Sequence, residues 1–127
     1  MFSWLHLSLV ALGGAAGTAM RAALTLAFGD ALGPALVPIV NVAGALALGI
    51  VMGYLSQRAG DRARAAQMFL GTGVLGGFTT YSALAVEAAD FALLAWGAGT
   101  VVVGTASAWG GLRLGRGLAR GQTRGRS

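Results

Sequence analysis

The sequence predicts an all-α membrane protein with four transmembrane helices, and this prediction depends on composition and on the spacing of charges. The chain has 127 residues, of which 56% are hydrophobic and only 10% charged, and its mean hydropathy is +0.73. Such a composition disfavours a water-soluble domain. A helix needs about 20 apolar residues to cross a bilayer. Four uncharged stretches meet that length: 1–20, 31–57, 65–86 and 91–112.

The first two predicted helices are bounded by short polar segments. Helix 1 covers about 4–28 and ends at the turn 29–34, which contains two glycines and a proline. Helix 2 follows at about 35–55, with Pro38 near its first turn, where the missing N–H does least harm. The polar linker 56–64 ends helix 2.

The third predicted helix is the irregular one. It covers about 65–89, but its middle, 71–82, combines glycines with hydroxyl side chains, so we expect an interruption at mid-membrane depth. Helix 4 is expected at about 91–112. The chain up to residue 112 then forms one transmembrane domain, and the arginine- and glycine-rich segment 113–127 is expected to be an unstructured cytoplasmic tail.

Arginine placement predicts the orientation of the chain. With four spans, both termini and the linker 56–64 share one side, and that side carries eight of the nine arginines. The positive-inside rule therefore places both termini in the cytoplasm of a multi-pass cell-membrane protein. Because these arginines adjoin apolar helices, we expect anionic lipids rather than nucleic acid as their partners.

Enzyme chemistry is not expected from this composition. The chain has no cysteine and one histidine, His6, so it has neither a thiolate nucleophile nor a cluster of metal-ligating side chains. The spacing Gly71-x-Gly73-x-x-Gly76 matches a dinucleotide fingerprint, but that pattern is meaningful only between a strand and a helix.

Two polar side chains inside the predicted spans are candidate site residues. Arg21 is the one charge within helix 1. It either faces a cavity or partner, or extends its side chain to the headgroups near the helix end. Asn41 in helix 2 either bonds to a neighbouring helix or donates N–H groups to an ion. The irregular middle of helix 3 favours the ion-binding alternative for Asn41, because unwound backbone at membrane depth occurs beside protein or a cavity.

Three short motifs occur in order along the chain. They are Gly13-Gly14-Ala15-Ala16-Gly17-Thr18-Ala19-Met20-Arg21, Asn41-Val42-Ala43-Gly44 and Gly73-Val74-Leu75-Gly76-Gly77-Phe78-Thr79-Thr80-Tyr81-Ser82. Together they resemble the motifs of the Fluc (CrcB) fluoride channels, and the resemblance covers nearly the whole chain before the tail. It implies an antiparallel dimer with two narrow fluoride pathways and a structural sodium ion. The backbone carbonyls that correspond to the sodium ligands belong to Gly76 and Thr79.

The resemblance also implies which side chains line the ion pathway. The helix-2 amide is Asn41, the first pore aromatic is Tyr81, and the helix-4 hydroxyl is Ser107. We add Ser82 as a further hydroxyl, and Arg21 as a residue that attracts anions or fixes the dimer. The expected function is passive export of cytoplasmic fluoride, which reduces its toxicity. Donor groups and the positive edge of an aromatic ring are suited to a small, strongly hydrated anion.

Some positions depart from the family pattern. Tyr81 stands where phenylalanine is usual, Leu84 replaces the second pore aromatic, and Val103 and Gly111 replace helix-4 polar residues. Together with the one-sided arginines, these departures favour a hypothesis in which the chain inserts in one orientation. It would then pair with an oppositely oriented paralogue that supplies the missing ring; a homodimer is the alternative.

Two other functions remain as alternatives. A small dimeric proton-coupled multidrug exporter needs a carboxylate inside the membrane, whereas Glu87 and Asp90 lie near a helix end. A membrane scaffold that transports nothing would need only the glycine-rich packing surfaces.

Overall fold

The computed structural model describes residues 3–79 and 91–125, and within them every regular element is helical. This confirms the all-α prediction. The elements are α1 (Trp4–Leu32), a 3₁₀ turn (Gly33–Ala35), α2 (Leu36–Leu55), α3 (Asp61–Ala66), a π-helical segment (Gln67–Leu75), α4 (Gly76–Phe78) and α5 (Phe91–Arg124). Residues 61–78 form one continuous helical path, called the third run below.

Helix α1 packs parallel to the third run through backbone-to-backbone contact at glycines. Gly13 lies against Gly73, whose Cα would be 2.9 Å from a Cβ added to Gly13. One turn later, Gly17 lies against Val74 and Phe78. Because both contacts advance along the two segments together, α1 and the third run point the same way. Glycine is required here, since any side chain would overlap the facing backbone.

Helix α2 runs antiparallel to the third run. Gly44, early in α2, lies against Phe78 and Thr79, whereas Met52, late in α2, lies against Gly71. The order is therefore reversed relative to α1. It follows that α1 and α2 are antiparallel to each other.

Helix α5 packs parallel to α2, again through glycines. Gly49 contacts Ala108 and Leu112, and Gly115 contacts Ile50 and Tyr54. The spacing of four residues places these glycines on one stripe of each helix, which allows close approach over several turns. The four helical runs thus alternate in direction along the chain.

A single residue allows the reversal between α1 and α2. Gly33 has φ 52° and ψ −131°, a backbone conformation that residues with a Cβ rarely adopt. Its N–H donates to the Gly29 carbonyl, and Pro34 starts the 3₁₀ turn that leads into α2. The turn that the sequence predicts at 29–34 is therefore shorter in the structure, where the chain reverses tightly at 33–35.

The outside of the bundle is apolar. Large hydrophobic side chains are exposed along α1 and α5, and Leu26 and Trp4 are 88% and 75% exposed. The buried hydrophobic residues of the described chain are only Leu36, Val40 and Ala119. Among the described residues, the helical stretch Trp4–Leu55 is long and apolar enough to cross a membrane. A surface of this kind requires lipid or a protein partner as its surroundings.

Helix boundaries differ from the sequence expectation mainly at the arginine-rich end. The third run begins at Asp61 rather than at 65, and α5 continues to Arg124 instead of ending at 112. The expected unstructured tail is therefore helical over residues 113–124. The reason is contact with α2, because Gly115 and Ala119 are buried in the bundle and Tyr54 donates a hydrogen bond to Gln122 (2.7 Å).

Candidate functional site

A pocket between α2, α5 and the end of α4 contains the predicted amide of helix 2. Its volume is about 290 Å³, and Asn41 lines it with Thr79, Thr100 and Thr105. Asn41 is half-buried at this position. The structure thus brings together Asn41 and Thr79, which are 38 residues apart in sequence.

The threonine hydroxyls around this pocket donate back to their own helices. Thr100 donates to the Trp96 carbonyl (2.9 Å), and Thr105 donates to the Val101 carbonyl (2.8 Å). Each hydroxyl has only one proton, so in this arrangement the threonine oxygens offer lone pairs and not protons to the pocket. An anion that bound there through a threonine would require the hydroxyl to rotate away from its carbonyl.

The end of α4 forms one wall of the pocket through Thr79. After Phe78, Thr79 takes an extended conformation with φ −79° and ψ 149°. Its N–H and its hydroxyl both donate to the Leu75 carbonyl at 3.0 Å. Thr18 of α1 donates to the Gly77 carbonyl at 3.4 Å. The helix end is therefore held from its own last turn and from α1.

The backbone carbonyls at this helix end are suitable ligands for the sodium ion that the family resemblance implies. The last carbonyls of a helix lack partners within the helix, and Gly76 belongs to this last turn and is exposed. Neutral carbonyl oxygens are ligands for hard cations. The described residues contain no cluster of histidine, cysteine or carboxylate side chains for a metal.

Arg21 lies near the same helix end. It follows Gly17 by one turn of α1, and Gly17 contacts Val74 and Phe78. The side chain is half-buried, and its Nε is buried without a hydrogen-bond partner among the described residues. A buried guanidinium N–H without an acceptor is unfavourable. This geometry favours an Arg21 that points into protein over one that extends fully to the headgroups.

The other predicted site residues do not join this pocket. Ser107 is half-buried on α5 but is not among the residues that line it. Val103 lines a separate, outward-facing apolar groove with Pro38 and Trp96. Tyr81 and Ser82 lie outside the described residues, as do Leu84, Glu87 and Asp90.

Two pocket residues were missed by the sequence reasoning. Thr100 and Thr105 line the pocket, whereas the hydroxyl predicted for helix 4 was that of Ser107. Their five-residue spacing was visible in the sequence, but their orientation toward Asn41 depends on how α5 packs on α2. The π-helical segment Gln67–Leu75 was also not anticipated; such segments are rare and often occur at functional sites.

Comparison with known proteins identifies the family of this chain. The profile described as "CrcB-like protein, Camphor Resistance (CrcB)" matches residues 8–112. The chain belongs to the CrcB family. This membership confirms the resemblance that the three motifs indicate, and the matched segment includes Asn41, Thr79 and Arg21.

Individual CrcB relatives match over most of their length. The chain is 40% identical to "Fluoride-specific ion channel FluC 2" of Leifsonia xyli subsp. xyli, over 84% of this chain and 81% of that protein. It is 39% identical to "Fluoride-specific ion channel FluC" of Paracoccus denitrificans, over 86% of this chain and 93% of that protein. The protein of the same name from Novosphingobium aromaticivorans is 36% identical, over 87% of this chain and 95% of that protein.

Proposed function

We propose that this chain is a subunit of a fluoride-specific ion channel and not an enzyme. Relatives with 36% to 40% identity over most of both chains bear the name of such a channel. The observation that carries the proposal within this molecule is the pocket shared by Asn41 and Thr79, where an amide and a helix end meet. Transport is passive export of cytoplasmic fluoride across the cell membrane, which lowers fluoride toxicity.

The ion pathway runs past the Asn41 amide. Fluoride is small and strongly hydrated, so a pathway must replace water with donors that bind it and still release it. Asn41, Tyr81, Ser82 and Ser107 act as pathway residues in this proposal. Thr100 and Thr105 add hydroxyls at the pocket, and each can exchange its carbonyl bond for a bond to the anion. Arg21 raises the local positive potential at this level of the bundle or fixes the dimer.

A sodium ion at the end of α4 has a structural role. The carbonyls of Gly76 and Thr79 would hold it, and the bound ion would supply a fixed positive charge near the anion pathway. The chain's own contribution is the helix end that Leu75 and Thr18 stabilise. Replacing sodium by N-methylglucamine is expected to weaken subunit association, as measured by size-exclusion chromatography in detergent.

The assembly is an antiparallel dimer of four-span subunits. The alternating directions of the four helical runs support the four-span subunit, and the apolar outer surface supports lipid or a second subunit around it. In each subunit, the third transmembrane helix is interrupted after Phe78. Both termini lie in the cytoplasm because of the one-sided arginines, and this bias favours an oppositely oriented paralogue as the partner over a second copy of the chain.

The experiment that tests the proposal is ion efflux from liposomes that contain this purified chain and internal sodium fluoride or sodium chloride. Rapid fluoride efflux with chloride retained would support the channel and would show that one chain suffices, which contradicts the paralogue hypothesis. Efflux only after co-expression with a paralogue would support a heterodimer. No efflux in either case would contradict the channel and favour the exporter or the scaffold.

A further inference from the structure

The arginine-rich end of the bundle contains a polar pocket that is separate from the Asn41 site. This end comprises the last turn of α2, the linker 56–60, α3 and residues 113–124 of α5. The pocket measures about 640 Å³. Its lining residues are Gln57, Arg58, Ala119, Arg120, Gln122 and Thr123.

The first arginine of the pocket is held in a fixed place. The Nη2 of Arg58 donates to the Gln122 Oε1 at 2.7 Å and also to the Tyr54 hydroxyl. Its guanidinium also lies over the Tyr54 ring, 4.5 Å from the centroid. These contacts use one end of the guanidinium fork. The N–H groups on Nε and Nη1 have no acceptor among the described residues.

The same network orients the Gln122 amide. Its Oε1 accepts from Tyr54 at 2.7 Å as well as from Arg58. Since the carbonyl side is engaged by two donors, the NH₂ side remains as a pair of donors at the pocket. The hydroxyl of Thr123, by contrast, donates to the Arg120 carbonyl at 2.8 Å.

The second arginine comes from α5 and brings a positive charge to the same pocket. Arg120 lines it together with Arg58, and neither forms an ion pair within the described residues. Asp61 is the one described carboxylate at this end, against seven described arginines. A pocket with two cations and a preoriented amide donor is suited to an anion with several acceptor oxygens.

We propose that the pocket formed by Arg58, Arg120 and Gln122 binds a phosphate group. Planar guanidinium forks match phosphate oxygens two at a time, which distinguishes this pocket from diffuse attraction by scattered arginines. The group can come from an anionic lipid headgroup or from free phosphate, because both present the same oxygens. Bound phosphate would join the linker after α2 to the extension of α5.

A matched pair of variants on α5 separates a built site from general positive charge. Arg120 lines the pocket, whereas Arg116 lies one turn earlier, is also exposed and does not line it. Arg120→Gln and Arg116→Gln therefore remove the same charge from the same helix. Only Arg120→Gln removes a guanidinium fork that lines the pocket, and salt at ~0.2 M weakens the remaining effect of the charge one turn away.

The test uses the full chain in neutral detergent, with native mass spectrometry at about 0.2 M ammonium acetate. The probes are phosphatidylglycerol, diacylglycerol, which has no phosphate group, and inorganic phosphate. We expect phosphatidylglycerol to be retained over diacylglycerol. Arg120→Gln is expected to weaken its binding about tenfold and Arg116→Gln less than about twofold. Arg120→Lys should fall between wild type and Arg120→Gln, because it keeps the charge and loses the fork.

Each outcome of this test either supports or overturns the phosphate site. Competition by inorganic phosphate, with the same dependence on Arg120, would support the site and show that it accepts the free ion. Retention of phosphatidylglycerol without such competition would support the site and identify the lipid headgroup. Equal losses for both glutamine variants, or equal retention of both lipids, would overturn the proposal. The readout is binding and not fluoride flux, so the result is independent of the proposed channel function.

Discussion

Two pairs of helical segments in this molecule, α2 with α5 and α1 with the third run, pack through glycines. The first pair consists of uninterrupted α-helices, and the second does not. In the pair of α2 and α5, the contact glycines are spaced by four residues, as in Gly49 and Gly53, and both helices are uninterrupted. In the pair of α1 and the third run, the contact glycines Gly73 and Gly77 are also four residues apart, but the third run is π-helical over Gln67–Leu75 and ends at Phe78.

This difference explains where the candidate site lies. The uninterrupted helices α2 and α5 form a continuous wall of the pocket. The third run contacts α2 through Gly71 and α1 through Gly73, and it ends at Phe78, directly before Thr79. Thr79, the first residue after that end, lines the pocket with Asn41. The pair of α2 and α5 therefore provides the continuous support of the site, and the third run provides Thr79.

The largest expected effect comes from adding a methyl group at the contact glycines. Gly17→Ala and Gly111→Ala place a Cβ into facing backbone and are expected to destabilise the fold by about 3 kcal/mol each. Thermal unfolding in detergent measures this effect. Their neighbours provide matched controls, because an added Cβ on Gly14 or Gly110 meets no atom within 4 Å. If Gly14→Ala and Gly110→Ala were as destabilising as the contact variants, the packing described here would be wrong.

The second effect concerns the Asn41 amide. Asn41→Asp replaces two N–H donors by a carboxylate and should lower fluoride efflux about 100-fold, since an anion is then repelled at the pocket. Efflux from liposomes measures this change, and an unchanged elution volume in detergent shows that assembly is retained. Normal fluoride efflux from the variant would remove Asn41 from the pathway.

The third effect tests the hydroxyls of α5. Thr105→Val keeps the shape of the side chain but removes the hydroxyl that bonds to Val101, and fluoride efflux should fall about fivefold if that hydroxyl meets the ion. Thr25→Val is the control, because the exposed Thr25 makes the same kind of bond to the Arg21 carbonyl (3.0 Å). Similar efflux from both variants would limit the pathway to Asn41 and the helix end.

The smallest effect belongs to the arginine-rich end. Tyr54→Phe removes the hydroxyl that bridges Arg58 and Gln122 and is expected to lower stability by about 1 kcal/mol or less, because these groups are exposed to water. Chemical unfolding in detergent measures the change. A loss as large as that of Gly111→Ala would mean that side chains, and not the glycine stripe, hold α5 on α2.

Asn41 and Thr79, two residues of the pocket, were predictable because polar groups are conspicuous in an apolar sequence. Asn41, Arg21 and the segment around Thr79 stand out against uncharged, hydrophobic neighbours, and the pocket unites Asn41 with Thr79. Thr100 and Thr105 could not be assigned in this way. A threonine that donates to its own helix is common on any face, and only the packing of α5 on α2 selects the face that lines the pocket.

The helical extension of α5 could not be predicted for a related reason. Residues 113–124 are rich in arginine, which indicates solvent exposure, and in glycine, which has a weak helix propensity. The buried positions Gly111, Gly115 and Ala119 recur every four residues, but their role is apparent only when α2 lies opposite. The π-helical geometry of Gln67–Leu75 is likewise not indicated by any local pattern in the sequence.

The partners of the contact glycines also have a consequence for biosynthesis. Gly13 meets Gly73, and Gly49 meets Ala108, so each contact joins residues about 60 positions apart. At a synthesis rate of about 5–20 residues per second, each glycine face waits roughly 3–12 s for its partner to be made. Only three residues, Gly33–Ala35, separate α1 from α2, so these helices leave the ribosome as one hairpin without either final neighbour. The order of synthesis therefore makes late assembly, and not hairpin formation, the step at which contact-glycine variants should be lost to degradation.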